Sequence, residues 1–138
     1  KNFIELIKSL NKKNNFFFFL LCGPKEKYIA DKILKKVNTD CCLSLNNKKI
    51  SEIVPLISLS NVYIGNDSFG HHVASQCNIP SIIIMLDTPK AYTDYSINQF
   101  RILPEGINDD DISHDSKFSP DTIKVEKVLE KVNSILKL

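Results

Sequence analysis

The sequence predicts an α/β fold, a Rossmann-like parallel sheet with helices on both faces. Apolar runs that read as strands alternate along the chain with apolar stripes at helical spacing, the pattern of repeated β-α-β units. Several of the strand-like runs are apolar throughout, as expected of strands covered on both faces. A third observation is the segment 64–72, where an apolar run passes through small polar residues into a helix-like segment.

The first half of the chain predicts three helices and two strands. An apolar stripe running from Phe3 to Leu10 marks a helix, and the polar segment 11–15 ends it. The continuous apolar run Phe16 to Cys22 predicts a strand buried on both faces, which Gly23-Pro24 terminates. The remaining elements are a helix at 25–37, a strand at 41–45 and a helix at 50–59 that contains Pro55.

The second half predicts three strands and two helices. The strands are at 61–64, 81–86 and 99–103, and the helices are at 68–77 and 121–138. The segments 87–97 and 105–120 are predicted as loops, and the second contains Asp109, Asp110 and Asp111. Because a run of charges is typical of a solvated loop, we expect no metal site there.

The length of 138 residues suits one domain with its own core, so we interpret residues 1–138 as a single Rossmann-like domain. The chain begins with a helix, whereas a doubly wound domain begins with a central strand. We therefore expect the first strand of the domain to lie upstream of this sequence.

The charge of the chain excludes nucleic acid as the expected partner. The formal net charge is +2, and Arg101 is the only arginine among 18 basic residues. Proteins that bind a phosphate backbone cluster basic residues, often arginines, on one face.

The cysteines and the hydropathy predict a cytoplasmic protein. None of Cys22, Cys41, Cys42 and Cys77 forms a C-x-x-C pair, so they are expected to be small buried residues of a reducing compartment and not zinc ligands. No signal peptide is visible, and the longest apolar run, 16–22, is too short to span a bilayer. A peripheral association with the inner face of the membrane is left open.

The segment Ile64 to His72 is the first place to look for function. A strand stops, the backbone turns through small residues, and a helix starts with Ser68 available as its cap. The first free N–H groups of a helix and its dipole favour a bound phosphate. In an open α/β sheet, ligands bind outside the carboxyl ends of the strands.

Several segments, taken in order, resemble the carboxy-terminal half of family 9 glycosyltransferases, the heptosyltransferase family of lipopolysaccharide core synthesis. Asn66 to His72 resembles the D-[ST]-G-x-x-H signature of that family. Four further segments resemble a turn, a helix start, a strand entry and the closing helix: Cys22 to Glu26, Lys49 to Ile53, Asn78 to Ser81 and Ile123 to Leu136. The resemblance spans nearly the whole chain and implies one half of a two-domain GT-B enzyme.

The resemblance implies a set of residues that hold a nucleotide-sugar. Ser68 would donate its hydroxyl to the diphosphate, and Phe69 and Gly70 would contribute backbone N–H groups. Asp67 would contact sugar hydroxyls or order the loop, because a carboxylate repels a diphosphate. His72 would donate to a phosphate oxygen or fix the loop. Glu26 would contact the ribose, and Lys48 would contact the base mainly through its backbone. His71 has no counterpart in the family pattern and is expected to be incidental.

The sequence departs from the family at Phe69, where the family has glycine. A ring there would interfere with a phosphate that approaches the backbone closely, unless Gly70 takes over the tight position. The family's acceptor-binding domain is also absent from this sequence. The implied partners are thus a nucleotide-sugar donor and, through a missing amino-terminal domain, a glycan or glycolipid acceptor.

The implied reaction is inverting sugar transfer without a metal or another cofactor, from an ADP-heptose-like donor, in the synthesis of lipopolysaccharide or surface polysaccharide. Helix N–H groups would stabilise the nucleoside diphosphate as it leaves. No catalytic residue is assigned within this sequence, so we expect no transfer from this chain alone. Two alternatives stay open: a sugar-nucleotide 2-epimerase-like GT-B domain, and a degenerate, non-catalytic nucleotide-binding module.

Overall fold

The computed structural model describes residues 1–12, 16–37 and 39–138. The chain divides into two compact units, Lys1–Leu56 and Ile57–Leu138. The first unit holds α1 (Asn2–Asn11), β1 (Phe18–Leu20), α2 (Lys27–Leu34), β2 (Cys42–Ser44) and most of α3 (Ile50–Ser58). The second holds β3 (Tyr63–Asn66), α4 (Phe69–Gln76), β4 (Ser81–Ile84), β5 (Gln99–Ile102) and α5 (Val125–Leu136). Short 3-10 helices lie at Thr39–Cys41, Lys90–Tyr92, Asp109–Asp111 and Pro120–Thr122.

The predicted fold class is confirmed, because the strands are parallel and helices flank them. In the described residues, β1 pairs with β2 in one sheet, and β3, β4 and β5 form a second sheet in that order. The register of the second sheet aligns Tyr63 with Ser81 and Ser81 with Gln99. The three strands of that sheet therefore end together at one edge, where β3 leads into α4.

The first strand differs from its prediction. It is three residues long, and none of Phe18, Phe19 and Leu20 is fully buried. Side chains two residues apart share a face of a strand, and here they pack on each other. The rings of Phe16 and Phe18 meet edge to face with centroids 6.2 Å apart, and those of Phe17 and Phe19 with centroids 5.6 Å apart. The prediction of a strand buried on both faces at 16–22 is therefore wrong.

The core of the second unit centres on β4. Ile82 and Ile83 are fully buried, and so is Met85 directly after the strand. The helices α4 and α5 pack against this strand and contribute Ala74 and Val132, which are 0% and 1% exposed. The strand β4 is apolar on both faces and is covered by other elements, as its sequence predicts.

The segment 105–120 contributes to this core as well. Ile112 is 3% exposed and packs with Ile83 and Met85, and three partly buried side chains surround the cluster, those of Leu103, Ile107 and Phe118. The segment is acidic and lies in a loop as predicted, but it is anchored by apolar contacts. In the described residues, no helix is both long and apolar enough to cross a membrane.

We expect Ile112→Ala to lower the free energy of unfolding by about 2 to 5 kcal/mol, because it leaves a cavity against Ile83 and Met85. Urea denaturation monitored by circular dichroism measures the change. Ile97→Ala is the matched control, since Ile97 is 93% exposed in another loop of the same unit. Equal midpoints for the two variants would show that segment 105–120 is only a solvated connection.

Candidate functional site

The candidate site lies where β3 ends and α4 begins. Asn66 is the last residue of β3, Asp67 and Ser68 form the connection, and α4 starts at Phe69. Ser68 occupies the N-cap position with an extended backbone, φ −163° and ψ 175°. This is the strand-to-helix transition that the sequence predicts, at the carboxyl end of a parallel strand.

Ser68 does not cap the helix with its side chain, contrary to the sequence-based expectation. No side-chain hydrogen bond from Ser68 reaches the first turn of α4. Its hydroxyl instead bonds the phenol of Tyr63, with 3.0 Å between the two oxygens. Tyr63 reaches this position because Gly65 has no side chain; a Cβ at residue 65 would come within 2.6 Å of the phenol oxygen. The first backbone N–H groups of α4 therefore carry no cap from Ser68.

Phe69 and Gly70 supply those first N–H groups. They are the first two helical residues of α4; Phe69 is 44% exposed and Gly70 is buried. Neither has a left-handed backbone, since the only described residues with positive φ are Gly106, Asn78 and Lys137. The loop thus accommodates Phe69 without backbone strain, although the family pattern has glycine there.

The side chains of Asp67, in the connection, and His72, in α4, are neighbours. The Asp67 carboxylate oxygen Oδ1 lies 3.2 Å from Nε2 of His72. The other ring nitrogen of His72, Nδ1, lies 2.6 Å from the hydroxyl of Tyr95, and the two rings are stacked with an interplanar angle of 10°. Tyr95 comes from the loop after β4, so two separate segments of the chain hold His72.

His71 is not incidental, contrary to the sequence-based expectation. Its side chain is completely buried, with Nδ1 3.0 Å from Asp67 Oδ1 and Nε2 hydrogen-bonded to the side-chain amide of Gln99. Burial lowers the pKa of the His71 imidazole below its ordinary value, even though Asp67 opposes that shift. The family pattern gave no signal for this residue. The clue available in the sequence was the spacing of four residues between Asp67 and His71, which at the start of a helix brings two side chains to one side.

The loop that carries Tyr95 is tied to β5 by an ion pair. The guanidinium of Arg101 lies 3.2 Å from Asp94 and 2.7 Å from Asp109. Of the acidic run, Asp109 is therefore partly buried against Arg101, and Asp111 accepts the backbone N–H of Asn108 at 3.3 Å. Arg101 thus holds the loop next to the strand that bears Gln99.

Asp67, His71 and His72 have the composition of a metal site, with ligand atoms within 4.8 Å of one another. A hydrogen bond and a close contact account for that closeness. Nδ1 of His71 is hydrogen-bonded to Asp67 Oδ1, which only accepts, so that nitrogen carries a proton, and Nε2 of His72 lies 3.2 Å from the same oxygen. A cation at this place would have to displace the His71 proton and break its bond to Asp67, and we assign no metal to the cluster.

Glu26 and Lys48 lie in the first unit. Glu26 is the residue before α2, whereas the sequence predicted it inside the first turn of the helix. Its carboxylate accepts the backbone N–H of Gly23 at 2.8 Å. The Lys48 ammonium is solvent-exposed, as expected, and pairs with Glu52 at 3.0 Å. The other predicted site residues, Asp67 to Gly70 and His72, are grouped at the end of β3 in the second unit.

A comparison with protein families adds to this geometry. Residues 1–116 match the family described as glycosyltransferase family 9 (heptosyltransferase). No curated protein and no solved structure shows a significant match to the chain.

We expect Gly65→Ala to lower the free energy of unfolding by about 1 to 3 kcal/mol, because the new methyl group overlaps the Tyr63 phenol. The control is the same substitution in a Tyr63→Ala background, where the added cost should fall to within about 0.5 kcal/mol. Urea titrations of the four proteins give the coupling. An equal loss of stability in both backgrounds would mean that Gly65→Ala destabilises the protein for a reason other than contact with Tyr63.

The buried His71 predicts a pH dependence of stability. Its pKa is lowered in the folded protein, so below its ordinary pKa of about 6.5 the unfolded chain binds more protons. Stability should therefore fall as the pH decreases from about 6.5 to the folded-state pKa, by at most about 1.4 kcal/mol per pH unit. His71→Asn should flatten the profile in this window, whereas substitution of the exposed His114 by Asn should not. An unchanged slope in His71→Asn would contradict the assignment.

Proposed function

Because the chain belongs to glycosyltransferase family 9, we propose that it binds the diphosphate of a nucleotide-sugar donor at the carboxyl end of β3. The observation that carries the proposal is the N-terminus of α4. Ser68 leaves the N–H groups of Phe69 and Gly70 without a side-chain cap, at the end of a strand where α/β proteins bind ligands. Such an N-terminus attracts an anion through its unsatisfied donors and its dipole.

The hydroxyl of Ser68 supports the same assignment. Tyr63 and Ser68 share one hydrogen bond in which either oxygen can be the donor. When the Tyr63 phenol donates, the Ser68 hydroxyl proton is available to a phosphate oxygen. Burial raises the pKa of Tyr63 above its ordinary value, so the phenol keeps its proton for this role at neutral pH.

Asp67 contributes to the donor site through its second oxygen. His71 is hydrogen-bonded to Oδ1 and Nε2 of His72 lies 3.2 Å from the same atom, which leaves Oδ2 as the atom that would accept a hydroxyl of the donor sugar. A sugar hydroxyl is the expected partner of this oxygen and a phosphate is not, because a carboxylate repels a diphosphate. His72, held by Asp67 and Tyr95, borders the same loop.

The chemistry that fits this arrangement is inverting glycosyl transfer that needs no metal. Negative charge grows on the nucleoside diphosphate as the glycosidic bond breaks. Prearranged N–H and O–H dipoles stabilise that charge without reorganising, as in an oxyanion hole. The donor would be ADP-heptose-like, the reaction would serve lipopolysaccharide or surface polysaccharide synthesis in the cytoplasm, and the acceptor and its general base would come from a further domain.

The proposed roles of Glu26 and Lys48 concern the nucleoside. The Glu26 carboxylate bonds Gly23 through Oε2, and its other oxygen would accept a ribose hydroxyl. Lys48 would contact the base through its backbone, since its ammonium group pairs with Glu52 in solvent.

A second candidate is a non-catalytic binding module, and the exposure of Phe69 favours it. A half-exposed ring at the first position of α4 stands beside the N–H groups proposed to hold the diphosphate. If the ring blocks close approach of the phosphate, the loop keeps the shape of a donor site without its affinity.

We expect ADP-sugar or UDP-sugar to bind this chain with a Kd below millimolar, and Ser68→Ala to weaken binding by about tenfold or more. A hydrogen bond to a charged group contributes about 1.5 to 3 kcal/mol, which sets that magnitude. Isothermal titration calorimetry is the measurement, and Ser134→Ala on the exposed side of α5 is the matched control. The proposal fails if millimolar nucleotide does not bind and Ser68→Ala changes nothing.

Phe69→Gly separates the two candidates. If the chain is a donor domain, the substitution should change nucleotide affinity by less than about threefold, because the N–H group remains. If the ring blocks the site, the wild type binds weakly and Phe69→Gly gains affinity by tenfold or more. The same calorimetric titration with both proteins decides between these outcomes.

A further inference from the structure

Gln99 stands at the centre of the polar contacts behind Asp67. It is the first residue of β5, and its side-chain oxygen accepts two backbone N–H groups, from Tyr95 at 3.2 Å and from Ser96 at 3.0 Å. These two donors fix which end of the Gln99 side-chain amide faces the loop, since an NH₂ group cannot accept a hydrogen bond. The nitrogen of the Gln99 side chain therefore points away from that loop.

That nitrogen makes two further hydrogen bonds. It donates to the hydroxyl of Ser75 at 2.8 Å and to Nε2 of His71. Because the Gln99 amide nitrogen only donates, Nε2 of His71 must be the acceptor and carry no proton. The proton of the neutral ring is then on Nδ1, which faces the Asp67 carboxylate at 3.0 Å. This chain of bonds fixes one tautomer without reference to any titration.

The surroundings of His71 agree with a neutral ring. Its side chain is completely buried, and burial disfavours the imidazolium ion. The titratable groups that face it are Asp67 before α4, His72 on the same helix and Tyr95 from the loop after β4. Asp67 alone favours the charged form, and burial together with the neighbouring His72 outweighs it.

We propose that Gln99 is a positioning residue of the donor site, acting through His71 to hold the Asp67 carboxylate in one orientation. The bond from Nδ1 of His71 restricts Asp67 Oδ1, and both histidine contacts of this carboxylate are made through that oxygen and not through Oδ2. The importance of this orientation for the donor rests on the proposed function. The tautomer itself is a property of the free protein.

The direct test is the protonation state of His71 by ¹⁵N nuclear magnetic resonance of the uniformly labelled chain. We expect His71 to carry its proton on Nδ1 at neutral pH, the less common tautomer of free histidine, and to titrate below the ordinary value of about 6.5. A proton on Nε2, or rapid exchange between both nitrogens, would overturn the inference without any substitution being made.

Gln99→Glu is the matched variant, because it keeps the size and the accepting oxygen of Gln99 while replacing the NH₂ donor by an acceptor. His71 should then hold protons on both nitrogens, and its pKa should rise by more than one unit above that of the wild type. Ser75→Ala is the control: it removes the other bond of the same NH₂ group, and the His71 tautomer should not change. A His71 pKa unaltered by Gln99→Glu in the folded variant would refute the role of Gln99.

A nucleotide titration separates this inference from the proposed function. If the donor site is as proposed, Gln99→Met should weaken nucleotide-sugar binding by about fivefold or more, because it removes the donor to Nε2 and lets the His71 proton move there, away from Asp67. Gln99→Glu, in which Nδ1 keeps its proton, and the Ser75→Ala control should both stay within twofold. Unchanged donor affinity in Gln99→Met, despite a proton moved to Nε2 of His71, would refute the positioning role. If the wild type binds no nucleotide but shows the expected tautomer, the proposed function fails and the hydrogen-bond assignment stands.

Discussion

A completely buried histidine is the constraint on which the second unit depends. A buried polar group that loses its partner costs about 1 to 3 kcal/mol, so both nitrogens of His71 require partners inside the protein. One partner, Asp67, follows β3, and the other, Gln99, begins β5. His71 therefore joins the carboxyl end of one strand to the amino end of another. The elements that carry the candidate site are held together by this ring as well as by the apolar core around β4.

The connection between β3 and α4 lacks a stabilising side-chain cap, and this leaves backbone N–H donors of the helix available. A serine at the N-cap usually contributes about 1 kcal/mol by bonding the first turn of its helix. Here the hydroxyl bonds Tyr63 instead, and Gly65 is what allows the phenol to lie there. A helix end left uncapped at the edge of a sheet is a common form of anion site. Gly65 in β3 therefore affects which hydrogen-bond donors are available at the N-terminus of α4.

The fold class and the order of the elements could be predicted from the sequence, because hydrophobic periodicity and turn residues are local signals. The partners of the polar side chains could not. His71 and Gln99 are 28 residues apart, and His72 and Tyr95 are 23 apart, so the spacing in the sequence does not reveal these contacts. The same limit explains the error at Ser68: a hydroxyl chooses between the helix and Tyr63 according to tertiary geometry. The burial of β1 was overestimated for a related reason, since a continuous apolar run does not specify what covers it.

Arg101 gives the candidate site a dependence on ionic strength. Its bond to Asp109 is made through two nitrogens, at 2.7 and 2.9 Å, with the carboxylate side chain only 23% exposed. Its contact with Asp94 is longer, at 3.2 Å, and that carboxylate is 51% exposed. Dissolved salt screens exposed charges over about 8 Å at physiological concentration, so it weakens the second contact before the first. Because Asp94 precedes Tyr95, rising salt loosens the segment that holds the ring of His72, while Arg101 itself stays in place.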